Sequence, residues 1–283
     1  MGLFRAALPE PGEGLVLADG GGDWEALRTI EGRGALREHL LGLIELASAL
    51  DAGFILDAPI FQCIGLPIGA AEVEAIDRRA IAFAVELRDA AALDRPMALG
   101  ATLGPCPDWD GEWRIVGDEA ERLFVAQMRW LAKSEIDIVG GPAFSGAARA
   151  AAFVEAACDA GLRVAVTLEI DSAGRLADGR TLREAVETID GFPGVQAAWF
   201  TVRCADPAHL SAALDGGGWA RRIRGIDAFT APGAAIPPEA LRRTCAALAR
   251  KAPWIGIVQL GSGRNLRHAA AMARSLRESV VAA

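Results

Sequence analysis

Lysine is nearly absent from this chain of 283 residues and occurs only as Lys133 and Lys251. The formal net charge is −8 and the isoelectric point is near 5.1. A surface that binds nucleic acid or an anionic membrane needs a field of lysine and arginine, which this chain does not supply. We therefore expect neither nucleic acid nor a membrane among its partners.

Long apolar runs and paired cysteines are also lacking. No apolar stretch reaches the roughly 18 residues of a membrane span, and the N-terminus lacks the charged start and unbroken apolar segment of a signal peptide. The five cysteines are scattered and never spaced as Cys-x-x-Cys, which argues against a disulfide framework and a zinc ribbon. We expect free thiols in a cytoplasmic protein.

The chain does contain eight short apolar runs that are typical of buried parallel strands, each followed by an alanine-rich segment with helical periodicity. Their average repeat of about 35 residues suits a βα unit, and eight such units make a barrel. The predicted strands are residues 15–18, 53–58, 97–103, 136–140, 163–170, 195–202, 222–226 and 254–260.

The helices predicted between these strands show alanine, leucine and charged residues at the expected spacing, and no segment resembles a linker. We therefore predict an α/β fold, a (β/α)8 TIM barrel, as a single domain over residues 1–283. A doubly wound open sheet is the alternative, because alternation of strands and helices alone does not separate it from a closed barrel. The count of eight favours the barrel.

In such a barrel the reactive groups follow the strands at their C-terminal ends. The first predicted strand ends in Asp19-Gly20-Gly21, a carboxylate followed by glycines that let a ligand or neighbouring backbone approach closely. The functional hypothesis makes Asp19 catalytic and Gly20 and Gly21 substrate-binding. The alternative is a glycine-rich turn in which the aspartate bonds its own backbone.

Thiols follow three of the predicted strands. Cys204 ends the sixth, and Cys63 and Cys106 follow the second and third, so all three could face one mouth and hold a metal. A lone cysteine is more often a small buried residue, and coincidence can place three of them at strand ends.

The loop after the eighth strand contains Ser262-Gly263-Arg264 ahead of a helix. Free backbone N–H groups at a helix N-terminus bind anions, and many barrels bind phosphate at this position. We predict that these three residues contact substrate, although the same sequence also suits a plain tight turn.

The order of several segments resembles the homocysteine S-methyltransferase family, whose members are zinc-dependent barrels that methylate a thiol. Asp19-Gly20-Gly21 is similar to its opening Asp-Gly-Gly/Ala motif, and Val202-Arg203-Cys204 is similar to Val-Asn-Cys, which carries its first zinc cysteine. The other matching segments are residues 52–62, 100–105 and 171–182, and the similarity runs from about residue 15 to residue 273.

Two departures from the family pattern concern its functional residues. The paired zinc cysteines after strand 8 align with Gly261 and Ser262, so two of the three family ligands are replaced. The glutamate after strand 4 falls on Gly141 or Pro142. Zinc makes the acceptor sulfur a thiolate near neutral pH, which a single cysteine ligand does not achieve.

Three hypotheses follow from the resemblance. The first is methyl transfer from a sulfonium or ammonium donor to a thiol such as homocysteine, with zinc on Cys204 and one of Cys63, Cys106 or His209. The second is a metal-free barrel that binds or converts an anionic small molecule at the loop after strand 8. The third is a non-catalytic subunit. The expected partners are a small-molecule substrate and a methyl donor. Whether the chain forms a homo-oligomer is left open by the sequence.

Overall fold

Eight parallel strands follow one another around a closed barrel in chain order, with the last strand beside the first. The computed structural model describes residues 14–21, 24–62, 68–91, 93–104, 118–192, 194, 196–228, 237–260 and 266–280. The strands are β1 (Val16–Ala18), β2 (Gly53–Asp57), β3 (Met97–Thr102), β4 (Ile138–Gly140), β5 (Val164–Glu169), β6 (Trp199–Cys204), β7 (Ile223–Ala228) and β8 (Ile257–Gln259).

Each strand is followed by a helix, which places the helices around the outside of the barrel. The helices are α1 (Ile30–Ala49), α2 (Ala70–Ala90), α3 (Asp118–Leu131), α4 (Ala147–Asp159), α5 (Leu182–Asp190), α6 (Pro207–Ala213), α7 (Pro238–Lys251) and α8 (Leu266–Val280). The predicted TIM barrel is thus confirmed against the open sheet, because β8 pairs with β1.

Two apolar layers stabilise the barrel, one on each side of the strands. Small and medium side chains together with Trp199 fill the interior, including Val16, Ile55, Ala98, Ile138 and Ile257. A larger cluster packs the outward-facing strand residues against the helices. Because successive side chains on a strand point to opposite faces, each strand contributes to both layers in alternation.

Local sequence signals explain where helices begin. Thr29 precedes α1 and its side chain accepts the Gly32 N–H at 3.0 Å. Thr181 and Glu184 form a capping box at α5, in which each side chain accepts the other's backbone N–H. None of the helices that the structure describes combines the length and hydropathy that crossing a membrane requires.

The sixth strand begins later than residues 195–202 predict. Arg222 donates to the carbonyls of Ala197 and Ala198 at 2.6 and 3.3 Å and also pairs with Asp190. These carbonyls therefore bond to a side chain, and the strand begins at Trp199 and extends to Cys204. A long-range arginine contact of this kind leaves no signal in the periodicity of the strand.

Candidate active site at the mouth of the barrel

The C-terminal ends of the strands surround an open cavity, here called the mouth. The cavity itself has a volume of about 40 Å³ and opens to solvent. Most of the described residues that line it are apolar or glycine, and the polar ones among them are Asp57, Thr102, Thr167, Thr201 and Gln259. Catalytic groups of TIM barrels lie at this end, so the mouth is the candidate active site.

Two carboxyl groups lie at one side of the mouth, where β1 and β2 end. The Asp57 N–H donates to Asp19 Oδ1 at 2.9 Å, and the Thr102 hydroxyl donates to Asp57 Oδ2 at 2.7 Å. Burial raises the pKa of Asp57 to about 6, although the Thr102 hydrogen bond lowers it. Burial, and then the charge of Asp57, raises the pKa of Asp19 well above its ordinary value. The pair therefore retains a proton at pH values where an ordinary aspartate has lost it.

Gly100 makes room for this carboxyl pair. A Cβ added at position 100 would lie 1.8 Å from Asp57 Oδ1, so the aspartate lies directly over the β3 backbone. The only sequence signal for Asp57 was its position at the end of an apolar run, which is too weak to indicate a site. Sequence reasoning missed both Asp57 and its partner Thr102.

The predicted Asp19-Gly20-Gly21 segment lies at the mouth. Both glycines have positive φ angles, 77° and 93°, and Gly20 lines the cavity. A Cβ on Gly21 would lie 3.3 Å from both Gln62 Nε2 and Thr102 Cβ, so the glycine allows these side chains to approach. That Asp19 acts in catalysis and the glycines bind substrate stays a prediction.

The segment that follows β2 is held from behind by a buried aspartate on α2. The Phe61 N–H donates to Asp77 Oδ1 at 2.8 Å, and Gln127 Nε2 donates to both Asp77 Oδ2 and the Phe61 carbonyl at 2.9 Å. Burial raises the pKa of Asp77 to about 6. These hydrogen bonds position the neighbouring Gln62, whose Nε2 donates to the Thr102 carbonyl at 3.2 Å. The sequence signal for this arrangement around Asp77 was an acidic residue on the apolar face of a helix.

A second charged pair spans β6 and β7. Arg203 and Asp227 are directly opposite in the parallel register, and Arg203 Nε donates to Asp227 Oδ2 at 2.7 Å. The Asp227 side chain is fully buried, whereas the Arg203 side chain is 25% exposed. This pair was not identified from the sequence.

The expected position of the Cys204 thiol at the mouth needs correction. Trp199 and Thr201 line the cavity, whereas Val202 and Cys204 belong to the cluster between strands and helices. Cys204 is 1% exposed, and burial raises the pKa of its thiol to about 12. Strand alternation therefore turns the thiol away from the mouth and gives that place to Arg203.

The described residues do not fit the zinc ion of the related family. A zinc-bound cysteine is a thiolate, and the Cys204 thiol faces the helices with a raised pKa. No three His, Cys, Asp or Glu side chains of the described part are grouped to hold a metal. The other predicted ligands, Cys63 and Cys106, lie outside the described residues, as do Gly261, Ser262, Gly263 and Arg264.

The end of β4 also differs from the related pattern. A Cβ on Gly141 would lie 2.6 and 2.7 Å from two ring atoms of Phe144. The phenyl ring thus occupies the space that a side chain at position 141 would need. The ring would have to move before a glutamate could occupy this position.

Comparisons with known proteins agree with this architecture. A sequence model of the homocysteine S-methyltransferase family matches residues 64–246, well over half of the chain. The apo crystal structure of the homocysteine methyltransferase MmuM from Escherichia coli has a TM-score of 0.62 at 16% identity, covering 96% of this chain and 98% of that one. No curated protein sequence matches at a significant level.

Other solved barrels are more distant in structure. A tryptophan synthase α-subunit from Pyrococcus furiosus has a TM-score of 0.47 at 16% identity, covering 96% of this chain and 97% of that one. Triosephosphate isomerase from Bartonella henselae has a TM-score of 0.45 at 14% identity, covering 95% and 99%. Since the family match spans most of the sequence and the barrel is closed, this chain belongs to the homocysteine S-methyltransferase family.

Proposed function

We propose that the protein is an S-methyltransferase that moves a methyl group from a sulfonium or quaternary ammonium donor to a thiol such as homocysteine, giving methionine. The observation that carries this proposal is family membership together with a buried carboxyl pair at the mouth. Both donor classes are cations, and a carboxylate in a partly desolvated cavity attracts a cation more strongly than one in water.

The reaction needs the thiol sulfur, the methyl carbon and the leaving atom in line. A bond forms between sulfur and methyl carbon as the bond from that carbon to the donor sulfur or nitrogen breaks, and the electron pair stays with the donor. The thiol proton needs an acceptor. Asp57, with a pKa of about 6, is ionised near neutral pH and suits that role, while Asp19 orients the substrate ammonium.

Zinc would supply Lewis-acid activation of the thiol in related enzymes. Because Cys204 faces the helices, no step is assigned to a metal here. The residues of this chain would bind both substrates, align them and accept the proton. Exclusion of water at the apolar base of the mouth strengthens each of these electrostatic contacts.

The experiment is a methyl-transfer assay with homocysteine and either S-methylmethionine or S-adenosylmethionine, with methionine detected by mass spectrometry. It is run once with zinc and once with a chelator. We expect Asp57→Asn to lower kcat by about 10²–10⁴-fold, the range for removal of a general base. Arg183→Met, which removes an exposed pair on α5, is the matched control and should retain activity. Absence of methionine under all conditions would refute the proposal.

A second candidate is the metal-free barrel that takes a different, anionic small molecule at Ser262, Gly263 and Arg264. The orientation of Cys204 favours it, because the cysteine that is similar to the family's first zinc ligand does not face the mouth. Its test is Ser262→Asp, which adds a negative charge at the proposed anion site. Unchanged binding of inorganic phosphate in that variant would count against it.

A further inference from the structure

Arg203 precedes Cys204 on β6, and Cys204 is the residue that is similar to the family's first zinc cysteine. On β6, Trp199 and Thr201 line the cavity. Val202 and Cys204 lie in the cluster between strands and helices. Since side chains alternate along a strand, Arg203 shares the face of Thr201 and points towards the mouth.

Cys204 cannot reach the mouth by a rotamer change. Its Cα–Cβ bond leaves the strand on the helix side, and a change of χ1 moves the sulfur only within that side. The thiol lies near the Leu210 backbone of α6 and near Cys245 of α7, both outside the barrel. Its environment is that of a core residue.

Arg203 is held in its place by charge. Asp227 is fully buried, and a buried carboxylate is costly unless a cation pairs with it at hydrogen-bond distance. Arg203 Nε provides that contact at 2.7 Å, while a quarter of the arginine side chain stays exposed. On its other side the register places Glu169 of β5, which is exposed.

We propose that the Arg203–Asp227 pair stands at this end of the mouth in place of the family's zinc, so that the protein works without the metal. Arg203 then provides the positive charge that an anionic group of the ligand meets there. The proposal that the protein works without zinc rests on the orientation of Cys204 and on Gly261 and Ser262 standing where the family has its paired cysteines. The proposed ligand contact rests on the function proposed above.

The first test needs no substrate. Untagged protein from zinc-supplemented cells is dialysed, and zinc per chain is measured by plasma mass spectrometry for the wild type and Cys204→Ala. We expect less than about a tenth of a zinc per chain in both, because the Cys204 thiol faces the helices and forms no tight site at the mouth. About one zinc per chain in the wild type overturns the proposal. Its loss in Cys204→Ala would assign it to that thiol, and its retention to other ligands such as Cys63 and Cys106.

The second test concerns the pair itself. Arg203→Met removes the ion pair that Arg203 forms with the buried Asp227 carboxylate and should lower Tm by several degrees, whereas Arg203→Met with Asp227→Asn removes both charges and should recover most of the loss. Arg183→Met is again the exposed control and should leave Tm unchanged. Equal Tm values in the single and double variants would refute the pairing.

The third test measures homocysteine binding by calorimetry with and without a chelator. We expect the affinity to be insensitive to the chelator and to fall about tenfold or more in the Arg203→Met, Asp227→Asn variant, as for loss of a charged contact. Binding abolished by the chelator, or unchanged in the double variant, overturns the inference. If the wild type does not bind homocysteine at all, the proposed function fails, and the zinc and Tm measurements still decide whether the pair has replaced the metal.

Discussion

Replacing Gly100 by alanine tests the position of the Asp57 carboxylate. The added Cβ would lie 1.8 Å from Asp57 Oδ1 and 3.0 Å from both Asp57 Cγ and Ile55 Cγ2. Non-bonded heavy atoms prefer roughly 3.5 Å, so the carboxylate has to leave its place. We expect the variant to lose the Thr102 hydrogen bond to Asp57 and, with it, most of the methyl-transfer activity.

The size of the effect follows from the contacts. Overpacking costs about 1–3 kcal/mol, and the entropy gained in the unfolded chain on replacing glycine by alanine offsets about 0.4–1 kcal/mol. We therefore expect Gly100→Ala to lower the free energy of unfolding by about 1–2 kcal/mol. In an Asp57→Ala background the two contacts with the carboxyl group disappear, and the cost should fall below about 0.5 kcal/mol.

The assay is urea unfolding of the wild type, both single variants and the double variant. Gly140→Ala is the matched control, since a Cβ there meets nothing closer than Thr102 Oγ1 at 3.7 Å. That control should be neutral or slightly stabilised. If Gly100→Ala costs the same with and without the Asp57 side chain, the carboxylate does not lie over β3 and the geometry of the proposed site is wrong.

Three further predictions follow from the hydrogen bonds of polar side chains. The pKa of Asp77 is raised to about 6, so the stability that its protonated carboxyl contributes is present at low pH and is lost as the pH rises through that value. Between pH 4.5 and 7 the unfolding free energy of Asp77→Asn should therefore rise by about 2 kcal/mol relative to that of the wild type, as measured by urea unfolding. Thr102→Val removes the hydrogen bond that lowers the pKa of Asp57, so the acidic limb of the pH–rate profile should move to higher pH. Thr181→Ala breaks the capping box of α5 with Glu184 and should cost about 1 kcal/mol in urea unfolding.

A specific result would contradict each of these predictions. A constant difference in unfolding free energy between wild type and Asp77→Asn across the pH range would mean that the carboxyl titrates normally. A pH–rate profile of Thr102→Val that coincides with that of the wild type would exclude Asp57 as the titrating base. An unchanged unfolding midpoint for Thr181→Ala would show that α5 is stabilised by packing alone.

The barrel could be predicted because its signal is repeated along the chain. Eight apolar runs followed by amphipathic helices are local patterns, and each was found again as a strand within a few residues of its predicted place. Asp19 could be named from its position before two glycines, which take positive φ angles. The open sheet could be rejected only from the pairing of β8 with β1, which are far apart in sequence.

Asp57, Thr102, Arg203 and Asp227 could not be grouped from the sequence, because each pair joins residues that only strand register brings together. Composition, strand count and family resemblance were determined by the sequence itself, since they depend on residue types and their order. Which face Arg203 and Cys204 present was decided by the tertiary structure alone. Side chains alternate between the two faces of a strand, so a shift of one residue decides whether a thiol lies at the mouth or in the core.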